Sequence, residues 1–314
     1  MNAEANSATQ TPGPQTIGSK RLILIGMAWL ATLAVSRLPQ IILQEGFGID
    51  ACWIHWLWTG TLIALLGLSF VWTAVSTLRG YFIVMLAIVL ATTLLDPLVR
   101  QTALWTSWFE AGQSAIVNLL AERELIVLEA LLVVGVLLLM GLKRGDFYLV
   151  KGQMDAPARG VRLPGMPNAV SWRVFGPVLA ILLSILYVLF FASAYGVPRA
   201  DAFAKAMPLL PFAFLAAFLN SFGEEMMYRA APLSQLLPLV GAGQALLMTS
   251  LWFGLGHFYG GIPSGMAGLV GGSLLAMLFG KAMLDTRGIV WPWIIHFLAD
   301  AVIYNFLAIA ALTT

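Results

Sequence analysis

Long apolar blocks separated by short polar breaks run through most of the chain. A membrane-crossing helix needs about twenty apolar residues, and blocks of that order fall at 22–43, 53–77, 80–99, 116–142, 174–196, 206–230, 242–259, 263–284 and 289–311. The pattern predicts an all-α fold, a polytopic transmembrane helical bundle of about eight or nine membrane-spanning helices. The fourth block is the least regular. Glu122, Arg123, Glu124 and Glu129 crowd its first half, so 125–142 is expected in lipid and the charges at a water interface.

Composition supports the same class. Hydrophobic residues make up 60% of the 314 and charged residues 10%, far below the roughly 25% charged of soluble domains. Cys52 is the single cysteine, so no intramolecular disulfide and no cysteine-type zinc site can form, and it is read as a packing residue. The net charge of +2 and the lack of a basic stretch interleaved with aromatics leave nucleic acid an unexpected partner. Membrane lipid and a peptide or protein are the expected ones.

Four regions follow. Residues 1–19 are rich in Ser, Thr, Pro and Gly, a composition unable to bury a core, and are expected to be a disordered tail. Residues 20–142 hold the N-terminal transmembrane helices. Lys20 and Arg21 before an apolar run look like a signal peptide, but the run extends past Arg37, which can snorkel, so an uncleaved anchor is expected. Residues 143–173, with Pro157, Pro164 and Pro167, read as a basic cytoplasmic linker that sets topology. Residues 174–314 form the C-terminal core.

Lys and Arg in short loops set orientation. Lys20, Arg21, Arg79, Lys143, Arg144, Lys151, Arg159, Arg162, Arg173, Lys281 and Arg287 fall on one side, and Arg37, Arg100, Arg199 and Lys205 on the other. The bias favours a cytoplasmic N-terminus in a plasma membrane, and size and composition lean towards a bacterial inner membrane. An odd number of spans would then put Thr314 outside.

Candidate chemistry is confined to the last helices. Glu224 and Glu225 follow an apolar run directly, and carboxylates at membrane depth mark a functional site by default. Glu225 and Arg229 are four residues apart, the spacing of an ion pair on one helix face with the acid in the favourable N-terminal position. Glu224 then points about 100° away, free to face a cavity. His296 and Asp300 repeat the spacing, which lets a carboxylate fix the imidazole tautomer. His257 ends the sequence Phe-Gly-Leu-Gly-His.

These residues resemble the CAAX protease and bacteriocin-processing family, the type II CAAX prenyl endopeptidases or Abi proteins. Glu-Glu-x-x-x-Arg is matched by Glu224, Glu225 and Arg229, Phe-x-x-x-His by Phe253 and His257, and His followed by Asn or Asp by His296 and Asp300. The resemblance covers about 206–309. It implies a glutamate-dependent intramembrane endopeptidase that activates water without a covalent intermediate or a cofactor. Glu224 would be the base, His257 would position the water or share its proton, and His296 with Asp300 would bind the developing oxyanion. Glu225 and Arg229, with Phe253, would support them. The cavity would face the cytoplasm between the last four helices, and the substrate would be a prenylated CAAX-like or other membrane-associated peptide.

Other classes use similar residues. A zinc protease would hold its metal with Glu224, His257 and His296, although no His-Glu-x-x-His helix is present. A transporter also buries paired carboxylates and histidines, but the front half holds no matching broken helices. A non-catalytic immunity or scaffold protein would bind a peptide in the same cavity.

Three smaller expectations complete the reading. His55 sits at an interface among tryptophans, and Trp252, Trp291 and Trp293 are interface anchors. Gly256 with Gly260, and Gly268 with Gly272, give small-residue spacings for close helix packing. If the sixth span ended near Ala231 and a straight seventh began at Gly241, Glu224 and His257 would lie at different depths. The segment 232–243, with Pro232, Pro238, Gly241 and Gly243 as breakers, is therefore expected to dip or run along the interface so that the seventh helix starts late.

Overall fold

In a computed structural model, residues 18–109, 115–161 and 170–310 are described. Almost all of the expected tail, together with Arg162, Pro164, Pro167 and Thr314, lies outside them.

The apolar blocks become helices because a chain in lipid must satisfy its backbone polar groups internally. α1 (Ser19–Ala34) leads into α2 (Leu38–Ile41) and a π turn at Ile42–Gly46. After α3 (Ile54–Val71), a 3-10 turn at Ser76–Leu78 starts α4 (Arg79–Leu90), which passes through a π turn (Ala91–Leu95) into α5 (Asp96–Arg100). α6 (Ala103–Trp108), α7 (Ala115–Leu139), α8 (Trp172–Tyr195) and α9 (Ala200–Ala206) follow. α10 (Leu210–Glu225) continues through a π turn at Met226–Ala230 into α11 (Ala231–Val240), and α12 (Ala242–Gly260), α13 (Gly265–Thr286) and α14 (Val290–Ala310) close the bundle.

Five stretches are long and apolar enough to cross a membrane: Ile54–Val71, Ser76–Arg100, Trp172–Tyr195, Gly265–Thr286 and Val290–Ala310. Two bent pairs, Ser19–Ala34 with Leu38–Gly46 (53°) and Ala200–Ala206 with Leu210–Val240 (70°), raise the number to seven. The remaining two predicted blocks are α7, with 25 residues and four charges, and α12, with 19 residues including Gln244 and His257. The protein is thus an all-α integral membrane bundle. The outer face of α8, with Val178, Ile181, Ile185 and Leu189, is left exposed, as a lipid-facing helix requires.

The largest core cluster lies in the front of the bundle. Phe82, Met85 and Ile88 of α4 meet Leu137 of α7, Met226, Leu233 and Leu236 of the α10–α11 helix, and Met248 of α12. A second cluster joins Trp172 and Leu179 of α8 to Phe279 of α13 and to Trp291 and Ile295 of α14. Trp252 and Trp291 therefore do not stand at an interface as expected. Each is more than nine-tenths buried, with indole N–H groups donated to the carbonyls of Val35 (3.4 Å) and Met154 (2.8 Å). Gly176 admits Trp291, because a Cβ there would meet the indole at 2.5 Å. Cys52 is exposed at the start of α3 and packs nothing into the core.

The described part of 143–173 lies against the α13–α14 turn. Gln153 donates its N–H to the Thr286 carbonyl (2.7 Å), and Ile289 donates to that of Val150 (3.1 Å). Gly152, at φ +71°, approaches Gly288 so closely that any Cβ would strike it. Trp172 anchors the same face by donating to Asp285 at 3.1 Å, and Lys281 pairs with that carboxylate at 2.7 Å.

The expected dip after Pro232 is absent, and the depth problem is resolved by a longer helix. The π turn Met226–Ala230 precedes Pro232, which falls in the first positions of α11, where a missing N–H costs little. The helix continues to Val240, and only Gly241, at φ +85°, breaks it before α12 begins at Ala242. Glu224 then lies about 24 Å before the end of α11, and His257 about 22 Å after the start of α12, at 1.5 Å per residue. The two antiparallel helices bring them level.

Candidate active site

Glu224, His257, His296 and Asp300 line one cavity of about 150 Å³ between α8, α10, α12, α13 and α14, with Arg123 of α7 at its wall. The adjacent glutamates diverge as the helical rotation requires. Glu225 is fully buried, whereas the Glu224 side chain keeps 18% exposure towards the cavity.

Glu225 is held from two sides. Arg229 Nη1 donates to its Oε1 at 2.6 Å, and His296 Nδ1 lies 2.8 Å from the same oxygen. The Arg229 guanidinium sits 4.2 Å from the Phe253 ring centroid and 5.1 Å from that of Phe279. Its Nε and Nη2 have no hydrogen-bond partner, and the aromatic faces provide the cation's remaining stabilisation. Phe253 thus touches the site through Arg229 and through the ring of His257, 4.2 Å away centroid to centroid.

Each histidine has one nitrogen committed. His257 Nδ1 lies 3.1 Å from the Phe253 carbonyl, and a carbonyl only accepts, so Nδ1 is the donor and Nε2 is left as the acceptor on the cavity side. His296 Nδ1 likewise faces the Glu225 carboxylate. Its Nε2 lies 3.5 Å from both Glu224 Oε2 and Asp300 Oδ1, while the ring stacks on Phe279 at 5.0 Å. The expected i, i+4 pairing of His296 with Asp300 is therefore the looser contact. Glu225, from the neighbouring helix, orients the imidazole.

Asp300 has its closest partner in Asn220, whose Nδ2 donates to Oδ2 at 2.8 Å. Arg123 Nη1 donates in turn to Asn220 Oδ1 (2.6 Å) and to the Tyr304 hydroxyl (3.0 Å). The charges of α7 were expected at a water interface, yet Arg123 reaches the cavity and Glu129 is buried. Neither Asn220 nor Arg123 was singled out in the sequence. Asn220 carried a signal, lying four residues before Glu224 and so on the same helix face. Arg123 carried none, because its partners are 97 and 181 residues away.

Close helix approach seats His257. A Cβ on Gly268 of α13 would meet the His257 carbonyl at 2.5 Å, and one on Gly272 would meet its ring at 3.2 Å. On α12 it is Gly254 that abuts α13, through Ser273 and Leu269. Gly256 and Gly260 face open space, so the expected glycine pair on α12 is not the one that packs.

The cavity is bounded by Gly261, Ile262 and Pro263 of the α12–α13 turn, at the opposite end of α12 from Gly241. Among the described residues, no three His, Cys, Asp or Glu side chains are arranged to hold a metal ion.

No curated protein and no solved structure matches the chain. Residues 206–302, from the end of α9 into α14, match the family model described as type II CAAX prenyl endopeptidase Rce1-like. This stretch holds all three motif pairs around the cavity. Over these residues, about a third of its length, the chain is similar to the type II CAAX prenyl endopeptidase Rce1-like family of membrane proteases.

Proposed function

We propose that the protein is a glutamate-dependent intramembrane endopeptidase that hydrolyses a peptide bond of a membrane-associated peptide. The observation carrying this reading is the unequal fate of the two glutamates: Glu225 is consumed by Arg229 and His296, while Glu224 is left in the cavity beside two histidines.

Glu224 takes a proton from a water molecule, whose oxygen attacks the carbonyl carbon. His257 Nε2, an acceptor, positions that water. His296, as the imidazolium, keeps its Nδ1–H on Glu225 and directs its Nε2–H, which Asp300 also faces, to the developing oxyanion as a hydrogen bond. Collapse of the tetrahedral intermediate breaks the C–N bond. The proton held by Glu224 passes to the departing amine, and an amine and a carboxylic acid leave, the acid then giving its remaining proton to water. Glu225 and Arg229 act by positioning, and Phe253 and Phe279 enclose that ion pair.

Purified protein incubated with a peptide library, with product termini read by mass spectrometry, tests the proposal. Wild type should cut, and Glu224→Ala and His257→Ala should not. Equal processing by all three ends the protease reading, whereas binding of an uncut peptide by wild type would favour the scaffold role.

A further inference from the structure

The described basic residues of the positive-inside count gather at one end of the bundle. Arg21 at the start of α1 reaches the Val240 carbonyl at the end of α11 (3.5 Å). Gly80, beside Arg79 at the start of α4, abuts Gln235 of α11 and Met140 just after α7. The segment carrying Lys143, Arg144, Lys151 and Arg159 covers the α13–α14 turn, which is flanked by Lys281 and Arg287. Arg173 opens α8 at the same face, next to Trp172, which is bonded to Asp285.

The cavity lies at the other end. His257 is three residues, about 5 Å, from Gly260, the last residue of α12, and the α12–α13 turn forms part of the cavity wall. Tyr259 beside this turn donates to Glu45 at 3.0 Å, joining it to the far end of the α1–α2 pair. The cations at this end are fewer and partly neutralised. Arg100 pairs with Asp96 and Glu122, and Arg199 pairs with Asp201.

Because Lys and Arg are retained on the cytoplasmic side, we infer that the cavity opens on the non-cytoplasmic side of the membrane. Its substrate class is then a peptide exposed on or translocated to that side: the membrane-proximal part of an ectodomain, or a secreted peptide. A tail that remains in the cytoplasm would not reach Glu224. The substrate class rests on the hydrolytic reading above, but the side does not.

The chain carries its own reporter. Cys52 is the single cysteine and is exposed. It precedes α3, whose opposite end meets Arg79 through Ser69 (2.9 Å), so Cys52 lies at the cavity end. With the protein in the plasma membrane of intact cells, a membrane-impermeant maleimide should label Cys52 without permeabilisation. In a Cys52→Ser background, Ser264→Cys in the exposed α12–α13 turn should label likewise, and Gly145→Cys, exposed at the basic end, only after permeabilisation. The reverse pattern, or labelling of both ends from one side, overturns the inference, and Ser264→Cys decides if Cys52 is silent. None of these readouts depends on catalysis. A protein with the expected labelling that cuts no peptide would therefore sink the protease reading alone.

Discussion

The two adjacent glutamates should respond oppositely to the same chemical change. Glu225→Gln preserves shape but removes the charge facing Arg229, which is only 1% exposed and already has two unpartnered nitrogens. Breaking a buried pair by removing one partner costs about 3 to 5 kcal/mol. Glu224→Gln removes a carboxylate that lines a cavity and whose one ion-pair contact among the described residues is His296, at 3.5 Å, so its stability cost should be about 1 kcal/mol or less. Activity should follow the other order of severity relative to stability: Glu224→Gln stays folded and loses roughly 10²- to 10⁴-fold in rate, the scale of general base catalysis. Replacing both members, Glu225→Leu with Arg229→Met, should recover most of the lost stability and none of the activity, because His296 Nδ1 then has no acceptor. Thermal unfolding midpoints in mild detergent for this double variant and for Glu225→Leu and Arg229→Met alone, read beside hydrolysis rates, form a double-mutant cycle. A Glu225→Gln protein as stable as wild type, or a double variant less stable than either single one, refutes the division of labour.

Three further outcomes are expected. Gly268→Ala places a methyl group against the His257 carbonyl and should cost about 1 to 3 kcal/mol by overpacking while reducing hydrolysis; Gly256→Ala, which meets nothing within 4 Å, should be neutral in both assays. Asn220→Ala leaves Arg123 and Asp300 without their bridge and should lower stability by about 1 to 3 kcal/mol, measured by the same unfolding midpoint. Hydrolysis should persist after exhaustive chelation, and loss restored by added zinc would return the metal reading.

What was legible in the sequence is what helix periodicity and hydropathy encode within one segment. The all-α bundle follows from apolar blocks, and the exposure of Glu224 against the burial of Glu225 follows from a 100° rotation with Arg229 four residues on. What failed depended on contacts between segments or on how a break would be absorbed. Pro232 and Pro238 read as breakers, yet a π turn ahead of the first and the helix end just after the second made both tolerable. That continuation lifts Glu224 to the level of His257. The same limit hid Arg123: charge in a poorly apolar block reads as interface, and only tertiary packing turns it into a wall of the site. It also left His296 half described, because the i, i+4 rule sees Asp300 on its own helix, 3.5 Å from Nε2, but not Glu225 across the α10–α14 contact at 2.8 Å. The carboxylate that orients the histidine is therefore the one whose charge Arg229 shares, so the two motif elements act as one unit. Changes to Arg229 should then appear in the behaviour of His296, although the two side chains lie on different helices.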